Sequence, residues 1–186
     1  MIGYACCGSF CTLSRTMRQM EVLSKSYELL PIVSPVVAVT DTRFGKAADF
    51  LSLMETISGR KPLTTIAEAE PLGPTIPLEA LVIAPCTGNT LAKMANGITD
   101  TSVTMAAKAH LRNGRPLIIA LASNDALSAN LRNIGTLQER KNIYFVPLGQ
   151  DDPQSKPHSM VCDFDRIPET IAAALEGRQL QPLLVK

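Results

Sequence analysis

The sequence predicts a single α/β domain over residues 1–186, built as a three-layer, doubly wound parallel sheet of the Rossmann-like or flavodoxin-like kind. Short apolar runs alternate with segments of helical periodicity, and right-handed crossovers between parallel strands lay helices on both faces of a sheet. The chain is 46% hydrophobic but only 4% aromatic, with no Trp, so its core is aliphatic, as in covered parallel sheets. Its 186 residues suit one hydrophobic core.

The first part of the chain is predicted as strand, helix and strand. Residues 2–7 form an apolar run that stops at Gly8, and apolar residues then recur at helical spacing up to Leu23. Residues 31–39 are β-branched and apolar on both faces, as a buried parallel strand requires, with prolines near the start. A polar loop, residues 40–45, follows the predicted end of this strand.

The middle of the chain is predicted to contain three helices, one strand and a long connection. The first helix spans residues 46–58 and ends at Gly59, and residues 60–77 carry four prolines and are predicted to be irregular. The strand covers residues 81–84. The other two helices are predicted through residues 91–95 and over about 100–112.

The last part of the chain alternates two strands with two helices. The predicted strands are residues 116–121 and 142–147, because both are continuous apolar runs. A helix is predicted over about 127–139, a loop over 148–159, and a final helix over about 167–175.

Composition excludes several classes of function. The net charge is +1 and no basic block occurs, so nothing indicates nucleic-acid binding. No leader peptide or membrane-spanning run is predicted, and we expect a soluble cytoplasmic protein. The five cysteines are odd in number and two are adjacent, which favours reduced thiols over disulfides. The spacing of the two histidines indicates no metal site.

Small polar loops follow four predicted strands, at the end of the sheet where ligands bind in such folds. These loops are residues 8–12, 40–42, 85–90 and 123–125. Two of them lead straight into helices, whose first N–H groups and dipole favour an anion, although Ser and Thr there are also ordinary helix caps. Neither a Gly-x-x-x-x-Gly-Lys nor a Gly-x-Gly-x-x-Gly run occurs, which leaves a mononucleotide cofactor, FMN foremost.

Residues 81–100 read LVIAPCTGNTLAKMANGITD. This stretch resembles the Ala-Pro-x-(Ser/Thr)-x-Asn-Thr-x-x-Lys-x-x-x-Gly-x-x-Asp signature of the flavoprotein family, which includes peptidyl-cysteine decarboxylases, phosphopantothenoylcysteine decarboxylase and flavin prenyltransferases. Further segments are similar to one branch of this family, the B subunits of dipicolinate synthases. They are EAEPLGPTIPLEALVIAP, TGNTLAKMANGITDTSVTMAAKAHLRNGRP, ASNDALSANL, VPLGQDDP and KPHSMV.

The resemblance implies an oxidoreductase subunit that binds FMN and forms dipicolinate, a spore constituent, from a dihydrodipicolinate-type precursor during sporulation. It also implies a partner, the dehydrogenase-like A subunit that uses NADP(H), without which this chain would be inactive. The family assembles as homo-oligomers, trimers or dodecamers. The implied FMN-binding residues are Gly8, Ser9, Phe10, Thr40, Pro85, Thr87, Gly88, Asn89, Thr90, Ser123 and Asn124.

Departures from the family pattern bear on the reaction. Thr75 stands where the decarboxylases have a His, and Ser123 with Asn124 replaces the Arg-Glu of the prenyltransferases. Cys162 lies in a region comparable to the decarboxylases' flap cysteine. A flavin prenyltransferase, a cysteine decarboxylase-like enzyme and a non-catalytic partner subunit therefore stay open as alternatives.

The catalytic residues are not identified by the resemblance. A dicarboxylate substrate requires a cation, and Arg43 is our candidate, with Arg15 and Arg115 as alternatives or as plain surface charges. His110 is expected to pack within a helix, and His158 lies in a loop.

Overall fold

A computed structural model describes residues 1–185 of the chain. Five parallel strands form its centre, and every residue of the first four strands is buried, because helices cover both faces of the sheet. These strands are β1 (Ile2–Cys6), β2 (Leu29–Val33), β3 (Ala80–Cys86), β4 (Leu117–Ser123) and β5 (Ile143–Phe145). Their order across the sheet is β2-β1-β3-β4-β5. The predicted doubly wound α/β fold class is confirmed.

Two short strands extend the sheet in the antiparallel direction, which makes it mixed. They are β6 (Leu148–Gly149) and β7 (Met160–Cys162). β5 pairs with the first half of β4, up to Ile119, whereas β7 pairs with the second half, at Ala122 and Ser123. Both therefore lie on the same side of β4, one after the other along its length.

Within residues 1–185, seven α-helices connect the strands and an eighth follows the last one. They are α1 (Leu13–Ser24), α2 (Pro35–Val39), α3 (Ala47–Ser58), α4 (Ile66–Ala69), α5 (Gly88–Ala95), α6 (Ser102–Leu111), α7 (Leu131–Gln138) and α8 (Ile167–Leu175). Helix α1 contacts α3 and α8, while α5 contacts α6 and α7. Several helix ends follow local rules: Thr65 and Thr101 form capping boxes, and Gly59 ends α3 with φ 68°.

The bounds of the strand predicted over residues 31–39 are wrong. β2 begins earlier, at Leu29, and ends at Val33, and the second half of the run is the short helix α2. Pro35 is the first residue of α2, because proline cannot donate to a strand ladder while its fixed φ suits the first turn of a helix. The loop over residues 40–45 therefore follows a helix, and Ser34 is the residue that follows β2.

Smaller differences concern element bounds. The predicted irregular stretch 60–77 contains α4, the predicted loop 148–159 begins with β6, and α7 starts four residues after the predicted Leu127.

Tyr4, fully buried in β1, donates its hydroxyl to Thr16 O over 2.7 Å. His110 is buried, as predicted. No helix within residues 1–185 has the length and apolar character needed to cross a bilayer.

Candidate functional site

A cleft of about 740 Å³ opens at the carboxyl ends of β1, β3 and β4. Its size falls in the range of small-molecule and cofactor sites. The walls come from residues 8–12, 43–44, 87–89 and 122–125, and from Asp151, Lys156, Ser159 and Val161. A second hollow of about 580 Å³ lies between the last turns of α1 and α3. Helix C-terminal ends disfavour an anion, so we place the candidate site in the first cleft.

The turn after β1 forms the first wall. A Cβ on Gly8 would lie 2.9 Å from Val36 Cγ1, so a side chain there would require Val36 to move. Ser9 precedes the 3₁₀ turn Phe10–Thr12, which continues into α1, but the Ser9 side chain makes no capping hydrogen bond. Its hydroxyl accepts from Thr12 Oγ1 over 3.1 Å. Ser9 is therefore not an ordinary cap, and the first N–H groups of this helical segment lie at the cleft.

The turn between β3 and α5 forms the second wall. Thr87 is the N-cap of α5 and accepts from Thr90 N over 3.3 Å, so here the capping alternative applies. Thr90 is buried and donates its hydroxyl to Cys7 Sγ over 3.2 Å. Asn89 is exposed at the first turn of the helix and lines the cleft.

Gly88 is required by its surroundings. A Cβ at this position would lie 2.5 Å from both Ser123 Oγ and Asn130 Nδ2, and 2.7 Å from Asp125 Oδ1. These separations are shorter than any van der Waals contact, so the start of α5 packs directly on the polar groups after β4. The close approach brings the N-terminus of α5 to the wall of the cleft.

A polar network forms the third wall, after β4. Ser123 Oγ and Asn130 Nδ2 donate to opposite oxygens of the Asp125 carboxylate, the latter over 2.9 Å. Asn133 Nδ2 in turn donates to Asn130 Oδ1 over 2.9 Å. Ser123, Asn130 and Asn133 are all buried, so the network holds this wall rigidly. Asn124 is exposed into the cleft.

The loop between β6 and β7 forms the fourth wall. Lys156 Nζ lies 3.2 Å from Asp151 Oδ2, and both residues line the cleft with Ser159. Burial raises the pKa of the Asp151 carboxyl, but hydrogen bonds from Ser159 and Lys156 outweigh it, so the net pKa lies below the ordinary value. Asp151 is therefore ionised at neutral pH.

The structure brings most of the predicted site residues to one cleft. Those that line it are Gly8, Ser9, Phe10, Arg43, Thr87, Gly88, Asn89, Ser123 and Asn124. Pro85 and Thr90 lie behind the wall, both buried, and Pro85 O accepts from Cys7 N over 3.1 Å, which joins the ends of β3 and β1.

Thr40 does not follow a strand, as the sequence analysis had placed it. The sequence placed it at the end of the second strand, beside the cofactor, but it is the C-cap of α2 and does not line the cleft. The displacement follows directly from α2, which carries the chain away from the end of β2 before residue 40.

Several cleft residues were not predicted. Phe44, Asp151, Lys156 and Ser159 belong to this group, while Asp125 lies in the predicted loop 123–125 but was not named as a site residue. Polar residues at positions 123, 125, 130 and 133 were the available signal for the Asp125 network. The β6–β7 loop carried no comparable signal, because it follows the last parallel strand.

Among the three candidate arginines, Arg43 is the one that lines the cleft, with its guanidinium carbon 4.8 Å from the centre of the Phe44 ring. The guanidinium of Arg15 lies over Phe164 at 5.0 Å. Arg115 Nη1 donates to Leu78 O over 2.6 Å, ahead of β3. Arg15 and Arg115 therefore have packing roles.

The thiols divide into two groups. Cys6, Cys7, Cys86 and Cys162 are buried, and burial raises the pKa of each, that of Cys7 to about 11. Cys11 is exposed and lines the cleft. All five are unpaired. In the part of the chain that the structure describes, no group of three His, Cys, Asp or Glu side chains is arranged to hold a metal ion.

The cleft has the groups that a flavin mononucleotide requires. Two helix starts supply free N–H groups for a phosphate, and Ser9, Asn89 and Asn124 offer polar side chains for a ribityl chain. Phe10, Phe44 and Val161 add apolar surface for a flat ring. The close approach at Gly88 keeps one helix start at the wall. The residues present therefore fit FMN.

Comparison with known proteins agrees with this geometry. The family model described as Flavoprotein matches residues 61–181. The B subunit of dipicolinate synthase from Bacillus subtilis is 46% identical over 186 residues, which cover 100% of this chain and 93% of the relative. A flavin prenyltransferase of Methanothermobacter thermautotrophicus is 40% identical over 58 residues, 31% of this chain and 30% of the relative.

Solved structures extend the comparison. The B subunit of dipicolinate synthase from Bacillus halodurans superposes with a TM-score of 0.92 and 44% identity, covering 100% of this chain and 95% of that one. The FMN-dependent cysteine decarboxylase SpaF superposes with a TM-score of 0.66 and 23% identity, covering 95% of each chain. The second match shows a shared fold.

Proposed function

The chain belongs to the flavoprotein family, in the branch of the dipicolinate synthase B subunits, and from this premise we propose that it binds FMN and forms dipicolinate together with an A subunit. The proposed substrate is a dihydrodipicolinate-type dicarboxylate. The observation that carries the proposal is the convergence of two helix starts, after β1 and after β3, on one cleft.

FMN would be held by the strand-end loops. Ser9 and the N–H groups that follow it would meet the phosphate or ribityl chain, and Asn89 and Asn124 would contact the cofactor from the other two walls. Thr87 and the buried Thr90 would act by fixing the turn, through their mutual hydrogen bonds. Bound FMN would supply a hydride acceptor for the oxidation of a ring carbon.

The chain's own part in the reaction is to hold the substrate in the cleft. Aromatisation of a dihydropyridine removes one hydride and one proton, so the ring must be fixed against the cofactor. Arg43 would bind one carboxylate, since its guanidinium is exposed beside Phe44 and has no carboxylate partner among residues 1–185. We propose that NADP(H) binds to the A subunit.

The alternative activities lack their residues in this cleft. Thr75, at the position of the decarboxylase histidine, is exposed in the loop before β3 and outside the cleft. Cys162 is buried with a raised pKa, which opposes a role as a reactive thiolate. Ser123 and Asn124 offer no cation to a prenyl phosphate. The remaining alternative, that this chain is a non-catalytic partner subunit, is tested by the activity of the reconstituted synthase.

The visible spectrum of the purified chain, before and after addition of FMN, tests the cofactor. We expect a bound-flavin spectrum that survives gel filtration. An Asn89→Ala variant should retain less flavin, because it removes an exposed polar side chain at the first turn of α5. A colourless protein that ignores excess FMN would refute the flavoprotein proposal.

Synthase activity tests the partner and Arg43. Activity should require both subunits, and full activity of this chain alone would remove the A subunit from the proposal. Arg43→Ala should raise KM for the dicarboxylate by about tenfold, the loss of roughly one charge-assisted contact, with FMN retention unchanged. Arg112→Ala, the same charge change at the far end of α6, is the control. Equal KM values for Arg43→Ala and wild type would end the proposed role of Arg43.

We also propose that the chain forms a homo-oligomer, a trimer or a dodecamer. Val36, Val39 and Phe44 are 45%, 79% and 45% exposed and follow each other closely in α2 and the next loop, and exposed apolar groups of this kind mark contact surfaces. Sedimentation velocity at micromolar concentration should show an assembly. A monomer at that concentration would contradict the proposal.

A further inference from the structure

We propose that Lys156 binds the second carboxylate of the substrate, across the cleft from Arg43, and that this carboxylate replaces Asp151 as the partner of Lys156. The inference rests on the proposed function, because it presumes a dicarboxylate in the cleft. It adds a specificity-determining residue that lies outside the strand-end loops.

The charges that line the cleft support this assignment. Apart from the Cys11 thiol, four ionisable side chains lie on its walls: Arg43, Asp125, Asp151 and Lys156. Both oxygens of Asp125 accept hydrogen bonds from Ser123 and Asn130, so that carboxylate is committed to the wall. Two cations and one exchangeable carboxylate remain for a ligand.

The two cations come from separate walls. Arg43 lies in the loop between α2 and α3, whereas Lys156 lies in the loop between β6 and β7. A flat ligand whose two carboxylates reach both walls would meet one cation with each of them, while a ligand with one carboxylate can use one cation at a time. The arrangement therefore favours a dicarboxylate over a monocarboxylate.

The ion pair between Lys156 and Asp151 is suited to exchange. The side chains of Lys156 and Asp151 are 58% and 29% exposed, and their atoms lie 3.2 Å apart, so solvent screens the attraction and it contributes little to stability. An entering carboxylate can take the place of Asp151 without unfolding any part of the wall. Asp151 meanwhile keeps the ammonium group at the cleft.

The backbone around Lys156 is fixed by hydrogen bonds, although its side chain is 58% exposed. Leu127 N donates to His158 O over 2.9 Å, Gln150 Nε2 donates to Pro157 O over 3.0 Å, and Ser159 N donates to Lys156 O over 3.0 Å. The first bond ties the loop to the segment after β4, and the other two close the loop on itself. The position of the ammonium group is therefore set by a few rotatable side-chain bonds rather than by loop motion.

Calorimetric titration of the FMN-loaded chain tests the proposal, with pyridine-2,6-dicarboxylate and pyridine-2-carboxylate as probes. Retention of FMN by wild type and variants is measured first, by visible spectrum, so that failure of cofactor binding is separate from failure of this inference. Lys156→Ala should weaken binding of the dicarboxylate by about tenfold and that of the monocarboxylate far less. Lys141→Ala, the same charge change in an exposed turn before β5, should leave both affinities unchanged.

Asp151→Asn tests the exchange itself. The variant removes the competing negative charge but keeps a hydrogen-bond acceptor, so we expect the dicarboxylate to bind about twofold to fivefold more tightly. Four results would overturn the inference: an FMN-loaded wild type that does not bind the dicarboxylate, an unchanged dicarboxylate affinity in Lys156→Ala, equal losses for both probes in that variant, or weaker binding in Asp151→Asn.

Discussion

Replacement of Gly88 by Ala is the sharpest test of how the cleft is built. The added methyl group would lie 2.5 Å from Ser123 Oγ and from Asn130 Nδ2, about an ångström closer than a normal contact. Neither polar group is free to move aside, because both donate to Asp125. The substitution must therefore break these hydrogen bonds or push the start of α5 away from β4.

The size of the effect follows from those contacts. A buried hydrogen bond to a carboxylate contributes about 1.5 to 3 kcal/mol, and one or two such bonds are lost. Alanine in a helix regains up to about 1 kcal/mol relative to glycine. We therefore expect Gly88→Ala to lower the free energy of unfolding by about 2 kcal/mol, and to reduce FMN retention because the N-terminus of α5 moves.

Gly135→Ala is the matched control. Gly135 lies inside α7, and a Cβ there would meet nothing within 4 Å, so the same substitution should raise the free energy of unfolding by about 0.5 to 1 kcal/mol. Urea denaturation without FMN measures both variants, and the visible spectrum measures flavin retention. A Gly88→Ala variant as stable as wild type, with full flavin retention, would refute the proposed packing of α5 on the Asp125 network.

Three further predictions concern His110, the thiols and Arg140. Burial lowers the pKa of His110 from its ordinary 6.5, so the unfolded chain takes up more protons as the pH falls through about 6.5, and the free energy of unfolding should decrease there. In urea titrations at several pH values, His110→Gln should lessen this dependence of the free energy of unfolding on pH, and an unchanged dependence would contradict the prediction. In the folded protein a thiol reagent should label Cys11 alone, with protection by FMN, because the other four thiols are buried; mass spectrometry that finds a second modified cysteine before unfolding would exclude this. Arg140 donates to Met94 O and Ala95 O at the end of α5, so Arg140→Gln should cost about 1 kcal/mol in thermal unfolding, whereas the neighbouring Lys141→Gln should have no effect.

The parallel core was predictable because its rules are local. Continuous apolar runs such as those of β3 and β4 have no other stable place than between two layers of helices. The run over residues 31–39 was misassigned for the same reason, since apolar content alone does not separate a buried strand from a short helix. The dipeptide of Ser34 and Pro35 was the informative signal, because it gives a helix N-cap followed by proline.

The candidate site was likewise predicted in part. Loops after β1, β3 and β4 were predicted to meet, because carboxyl ends of parallel strands share one edge of the sheet. The network around Asp125 was not predicted, because its partner Asn130 comes from a turn that the sequence assigned to a helix. Its role is visible only through Gly88, which belongs to a different loop.

The fourth wall depends on how the sheet ends. β5 pairs with β4 only as far as Ile119, which leaves the second half of β4 open for β7. The pairing of Ala122 with Val161 fixes β7 beside the residues that precede Asn124, and Lys156 therefore reaches the cleft although it follows the last parallel strand. Strand-end loops provide the groups that fit a nucleotide cofactor, while this antiparallel addition provides the second cation. If the proposed dicarboxylate selectivity depends on Lys156, it arises from the one part of the sheet that departs from the parallel pattern.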